Sequence, residues 1–219
     1  MDGSRVQAKG DAGVQYLQSN GLQVDGPGSG GKLTLQIALP MDVKAHNALI
    51  VAADFTSVTF PTTVPVVTDS LGNTFTIALQ PVGDTNGVWA AIWVAFDIKG
   101  GTDTVIMTTT EDGADSFIEG YAHEYAGLVA LDGASGATGV TVAMDSGPIT
   151  TTAPGDLLFG FGAAGAVAMG TGFQVRSTVD SNVTEDEITG APGMYDATAT
   201  QGGPAGASWL MVGAAFLTQ

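Results

Sequence analysis

The residues best suited to chemistry lie in one run, Phe117-Ile118-Glu119-Gly120-Tyr121-Ala122-His123-Glu124-Tyr125. In a strand, alternate side chains take opposite faces. One face then carries Phe117, Glu119, Tyr121, His123 and Tyr125, and the other carries Ile118, Gly120, Ala122 and Glu124. Sugars stack their apolar faces on aromatic rings and hydrogen-bond to neighbouring polar groups. The first face, with Trp89 and Trp93 as further aromatics, is therefore a candidate glycan platform. The competing expectation is that these rings fill a core. Glu124 stands on a face of small apolar residues, where a buried carboxylate needs a partner; Arg176 is the arginine expected to supply it. If the aromatic face is the core, Glu124 is expected to be exposed. Glu119 and Glu124 point to opposite faces, so they do not form a glycosidase pair flanking one bond.

Other catalytic chemistries find little support. Cysteine is absent, which excludes thiol catalysis and zinc–thiolate sites. His46 and His123 are the only histidines, they are far apart in sequence, and no Gly-x-Ser-x-Gly nucleophile turn occurs. Gly160-Phe161-Gly162-Ala163-Ala164-Gly165 resembles a dinucleotide loop only superficially, because no helix is expected to follow it. Gly133-Ala134-Ser135-Gly136 reads as a loop.

Charge is more informative. Six basic residues face 22 acidic ones, giving a net charge of −16. Such a surface repels phosphate backbones and anionic lipids, so neither nucleic-acid binding nor membrane association is expected. It attracts divalent cations. Calcium takes oxygens from Asp, Asn and backbone carbonyls in turns. Three turns have that composition: Asp69 with Asn73; Asp112 with Asp115; and Asn182 with Glu185-Asp186-Glu187. Solvated acidic turns are the competing reading of all three, and no other cofactor is indicated.

Short apolar runs ending in Gly, Pro, Asp or Asn fill the chain, and no long 3.6-residue period occurs. Thirteen strands are expected, the first over Val14–Gln18 and the last over Ser208–Leu217. Asp69-Ser70-Leu71-Gly72-Asn73 and Lys99-Gly100-Gly101-Thr102-Asp103 read as hairpin loops. Many strands without a helix predict an all-β fold, a two-sheet antiparallel sandwich of jelly-roll-like topology. Residues 1–13 are expected to be a flexible tail and 14–219 a single domain. No apolar run reaches the roughly 20 residues that span a bilayer, and residues 1–13, polar and without an apolar stretch, are not expected to act as an export leader.

Several segments, in order, resemble a recurrent β-sandwich module of large secreted bacterial surface proteins. They are Val67-Thr68-Asp69-Ser70-Leu71-Gly72-Asn73-Thr74-Phe75-Thr76, Lys99 to Val105, Glu124 to Leu128, Thr150 to Leu158, Glu185-Asp186, Tyr195 to Ala199 and Trp209 to Phe216. The resemblance implies an extracellular or particle-surface location, an adhesive or glycan-facing role and no catalytic residues.

The expected function is thus a non-catalytic structural or adhesive surface module, with self-assembly into a filament or particle coat as one form of it. Val14, Tyr16 and Leu17, tethered by the glycine-rich stretch Gly26 to Gly31, are a candidate strand donor to a neighbouring copy. A carbohydrate-binding module is the first alternative. A hydrolase is the second, and it requires another carboxylate or a histidine to meet Glu119 or Glu124 in space.

Overall fold

The computed structural model describes residues 13–57, 64–111 and 113–219. These form an all-β molecule with eighteen strands. The first eight are β1 (Gln15–Asp25), β2 (Leu33–Ala38), β3 (Ala48–Thr56), β4 (Val66–Asp69), β5 (Thr76–Gly83), β6 (Val88–Ala95), β7 (Thr104–Thr109) and β8 (Phe117–Ala126). They make a five-stranded sheet, β1-β8-β3-β6-β5, covered by a three-stranded sheet, β2-β7-β4. Strands one, eight, three and six lie side by side and two, seven and four lie opposite, which is jelly-roll connectivity.

The remaining ten are β9 (Leu128–Gly139), β10 (Ala143–Asp145), β11 (Ile149–Thr151), β12 (Leu157–Ala163), β13 (Val167–Met169), β14 (Gln174–Ser177), β15 (Val183–Ile188), β16 (Gly193–Tyr195), β17 (Thr198–Gln201) and β18 (Trp209–Thr218). Their sheets are β9-β18-β12-β15-β14 and β10-β17-β13, with β11 and β16 as an added pair. Strand for strand, this order repeats the first eight.

The repetition extends to register. Tyr125 of β8 pairs with Ala48 of β3, and Phe216 of β18 pairs with Leu157 of β12. A bulge falls between Tyr16 and Gln18 in β1 and between Leu131 and Gly133 in β9, each just after the residue opposite that aromatic. The chain is therefore two jelly rolls in tandem.

The two five-stranded sheets pack face to face. Ile50, Ile92, Tyr121 and Tyr125 meet Leu157, Phe159, Phe161, Leu210, Val212 and Phe216 across this seam. The outer sheets cover the other faces, through Leu35, Ile37, Val105 and Met107 on one side and Met144, Ile149, Ala197 and Ala199 on the other. This stacking explains two sequence patterns. Strands of the inner sheets are buried on both faces, so β3, β6, β12 and β18 read as continuous apolar runs. The outer strand β2 alternates buried and exposed residues. Close approach needs glycine at two places. A Cβ on Gly120 would stand 2.7 Å from Met107 Sδ, and one on Gly213 would stand 2.8 Å from Ala197 Cβ.

Two expectations change. Gly133 to Gly136 is not a loop; it lies within β9. Glu185 to Glu187 is not a turn; it lies within β15, opposite β12. Glycine and acidic residues argue for turns when read locally, but in both places central pairing partners override that preference.

Candidate functional site

Strand β8 runs through the middle of the seam. Tyr121, His123 and Tyr125 are fully buried on the face it turns toward the second jelly roll. The Tyr125 hydroxyl donates to Asp186 Oδ2 at 2.5 Å. Arg176 grips the same carboxylate from Nε and Nη2 at 2.6 and 2.8 Å. Its guanidinium also lies 4.3 Å from the centre of the Tyr16 ring. His123 meets Phe159 edge to face at 5.1 Å, and neither of its ring nitrogens has a partner. Burial holds its pKa down at about 3, so the ring is neutral.

The expected glycan platform is thereby corrected. Tyr121, His123 and Tyr125 are covered by the second jelly roll, and Trp93 is buried against the outer sheet on the opposite face. Trp89 is half-buried, with its indole N–H donating to the Ser57 carbonyl at 3.1 Å. Glu119 alone among these residues borders a cavity.

Glu124 is buried as well, although β8's aromatic face is in the core. Its carboxylate accepts from Gln18 Nε2, Lys44 N and Asn47 Nδ2 at 2.6–2.7 Å. Arg176 serves Asp186 instead. The expectation that one face of β8 must be exposed fails because four layers, not two, are stacked.

Among the residues of the expected calcium turns, Asp69 accepts from Asn73, through its backbone N–H and side-chain amide at 2.8 and 2.6 Å. Asp115 is exposed, and Asp112 lies outside the described residues. Glu185 and Asp186 point to opposite faces of β15; Glu185 Oε2 accepts the Gly170 N–H at 2.8 Å. Glu187 is partly exposed beside them. Among the described residues, no three His, Cys, Asp or Glu side chains are grouped to hold a metal ion. The expected strand donor is engaged within its own chain. β1 pairs with β8 along its length, Tyr16 packs on Tyr125 at 5.6 Å, and Val14 and Leu17 are half-buried.

A cleft of about 250 Å³ is lined by polar groups from both jelly rolls. The first jelly roll contributes Asp54, Asp84, Val88, Phe117 and Glu119, and the second contributes Asp180, Asn182, Ser208, Trp209 and Leu210. Asp54 and Glu119 are register partners on β3 and β8, which sets their Cβ atoms about 5 Å apart. Both are largely buried.

Burial, with the neighbouring Glu119 charge second, raises Asp54 well above the usual carboxylate range. Burial, reinforced by Asp180 and opposed by hydrogen bonds from Tyr121 and Asn182, raises Glu119 to about 7. The Tyr121 hydroxyl donates to Glu119 Oε1, and the Asn182 amide reaches Asp54 Oδ1 at 3.4 Å. Ser208 donates to Asp84 at 2.7 Å.

Opposing carboxyls that retain a proton can both donate and accept hydrogen bonds, which suits hydroxyl groups. Val88, Phe117 and Leu210 supply apolar wall. Asp54 was legible in principle: it is the one charged residue in the otherwise apolar run Ala48 to Phe55. Its meeting with Glu119 depends on strand order and was not. Compared with family models, with curated proteins and with solved structures, the chain matches none.

Proposed function

We propose that the chain is a non-catalytic adhesive module of a cell or particle surface, and that its seam cleft takes a neutral, hydroxyl-rich ligand, a glycan. The observation that carries this reading is an asymmetry between the two jelly rolls. Asp54 and Glu119 pair on β3 and β8; counting from the Tyr125–Ala48 and Phe216–Leu157 pairs, the matching residues on β12 and β18 are Ala163 and Leu210, which pair in the same way. The fold closes with apolar residues at these places in one half. The buried carboxyls in the other half are thus not demanded by packing, and their cost points to a ligand.

The lining favours a sugar over an ion. It mixes acceptors, the Asn182 amide and the Ser208 hydroxyl with apolar surface, and among the described residues no Lys or Arg borders it. A glycan array probed with the wild-type chain and with Glu119→Leu tests this. Hits are expected for the wild type and lost in the variant; an array blank for the wild type contradicts the reading.

A second reading, a glycan-active hydrolase, is favoured by one fact. Glu119 has met a second carboxyl, and its pKa near 7 suits a general acid. Turnover of chromogenic glycosides, lost in both Asp54→Asn and Glu119→Gln, would establish it. Absence of turnover with retained binding supports the adhesive reading.

A further inference from the structure

The second jelly roll holds another carboxyl pair, away from the cleft. Asp156 directly precedes β12, as Asn47 directly precedes β3, at matching register positions. In the first jelly roll, Asn47 Nδ2 joins Gln18 Nε2 and Lys44 N in neutralising Glu124. Ala215 stands where Glu124 would be, and Gly133 where Gln18 would be. Asp156 therefore has neither the partner nor the donors of its counterpart.

What faces Asp156 is Asp132, the extra residue of the β9 bulge, within hydrogen-bonding reach. Asp132 accepts the Thr152 backbone N–H and, at 2.7 Å, its hydroxyl. Asp156 is fully buried; the Ala153 backbone N–H and the Asp132 carboxyl are its polar neighbours, and neither of its carboxyl oxygens makes a hydrogen bond of good geometry. A buried carboxyl against a carboxylate, with no ion pair to either among the described residues, is an incomplete arrangement.

We propose that Asp132 and Asp156 form a site for a hard divalent cation of the calcium class. The groups on hand are carboxylate and hydroxyl oxygens, with no imidazole or thiolate, which selects calcium or magnesium over transition metals. Asp156 supplies the inner oxygens. Asp132, half-exposed, supplies the outer ones and the route of entry. Water completes the shell. The chain's net charge of −16 concentrates such cations at the surface. This site is independent of the glycan cleft and of the acidic turns picked out by composition.

The test is calcium titration of the full chain at neutral pH, by calorimetry and by thermal melting, with EDTA as the baseline. One ion is expected to bind with a Kd of about 0.1–1 mM, the range of extracellular modules, and to raise Tm. In Asp156→Asn the new amide can donate to Asp132 as Asn47 donates to Glu124. That variant should fold, melt above the calcium-free wild type and bind calcium about tenfold more weakly or worse. If it fails to fold, Asp132→Asn, at the half-exposed position, should lose the calcium response. A wild-type Tm identical in EDTA and in millimolar calcium overturns the proposal. So does an undiminished calcium shift in a folded Asp156→Asn or Asp132→Asn.

Discussion

Asp54 and Glu119 face each other across β3 and β8, and the corresponding places of the second jelly roll hold Ala163 and Leu210. The tandem thus contains its own control experiment. Replacing both members of a buried polar pair by apolar groups can be nearly neutral or stabilising. The double variant Asp54→Ala/Glu119→Leu should therefore melt at or above the wild type near neutral pH. A drop of several degrees in a calorimetric scan would mean that the pair holds the seam together rather than waiting for a ligand.

The buried ionisable groups set a stability optimum on the acid side of neutral. Glu119 and Glu185 are raised by burial, from 4.5 to about 7 and about 8. The folded state keeps protons that the unfolded state releases, so their stabilisation is complete below pH 4.5 and is lost as pH rises through those values. His123 works in the opposite sense. Its folded pKa of about 3 lies below the ordinary 6.5, so its stabilisation is complete above 6.5 and is lost as pH falls toward 3. Between pH 4.5 and 6.5 the two carboxyls outweigh the histidine, so urea midpoints should peak near pH 4.5 and fall continuously to about 8.5. Glu185→Gln should flatten the alkaline limb.

His123 provides a separate test of the acid limb. Its two nitrogens are buried without partners, beside Phe159. Replacing it by leucine removes an unsatisfied polar group worth about 1–3 kcal/mol. His123→Leu should be as stable as the wild type or more so at pH 7, and its advantage should grow as pH falls to 4. Equal loss of stability in variant and wild type on acidification would place the acid-sensitive group elsewhere.

Arg176 fastens the two jelly rolls through Asp186, Tyr125 and Tyr16. Removing one member of a buried ion pair leaves the other uncompensated, at a cost of about 3–5 kcal/mol. Arg176→Gln should lower stability by about that much. Arg176→Lys should recover little, because an ammonium cannot reproduce the two-pronged grip on Asp186 or the stacking on Tyr16. Tyr125→Phe, which leaves the arginine in place, should cost only about 1 kcal/mol. Chemical denaturation of the three variants checks the order.

The all-β sandwich was legible because outer strands such as Leu33 to Ala38 alternate and inner runs such as Leu157 to Ala163 are bounded by Gly, Pro and Asp. The second layer of chemistry was not. Tyr121 and Tyr125 look the same in sequence whether solvent or another sheet covers them, and that depends on a second jelly roll whose strand order repeats the first without a visible sequence repeat. Glu185-Asp186-Glu187 reads as a turn because a strand with three consecutive acids is unfavourable alone. Arg176 and the Tyr125 hydroxyl on Asp186, the Gly170 N–H on Glu185, and burial that keeps Glu185 protonated make it tolerable. Asp54 announced itself as an oddity, whereas its partner could be named only once the strand order was known.

The glycan reading is tested most directly by mapping where neutral oligosaccharides perturb the amide NMR spectrum of the isotope-labelled full chain. Shifts are expected to gather on Val88, Ala164, Asn182 and Ser208, around the mouth of the seam, and to vanish in Asp54→Ala/Glu119→Leu. A spectrum unmoved by every sugar tested, or shifts confined to the outer sheets β2-β7-β4 and β10-β17-β13, would contradict it.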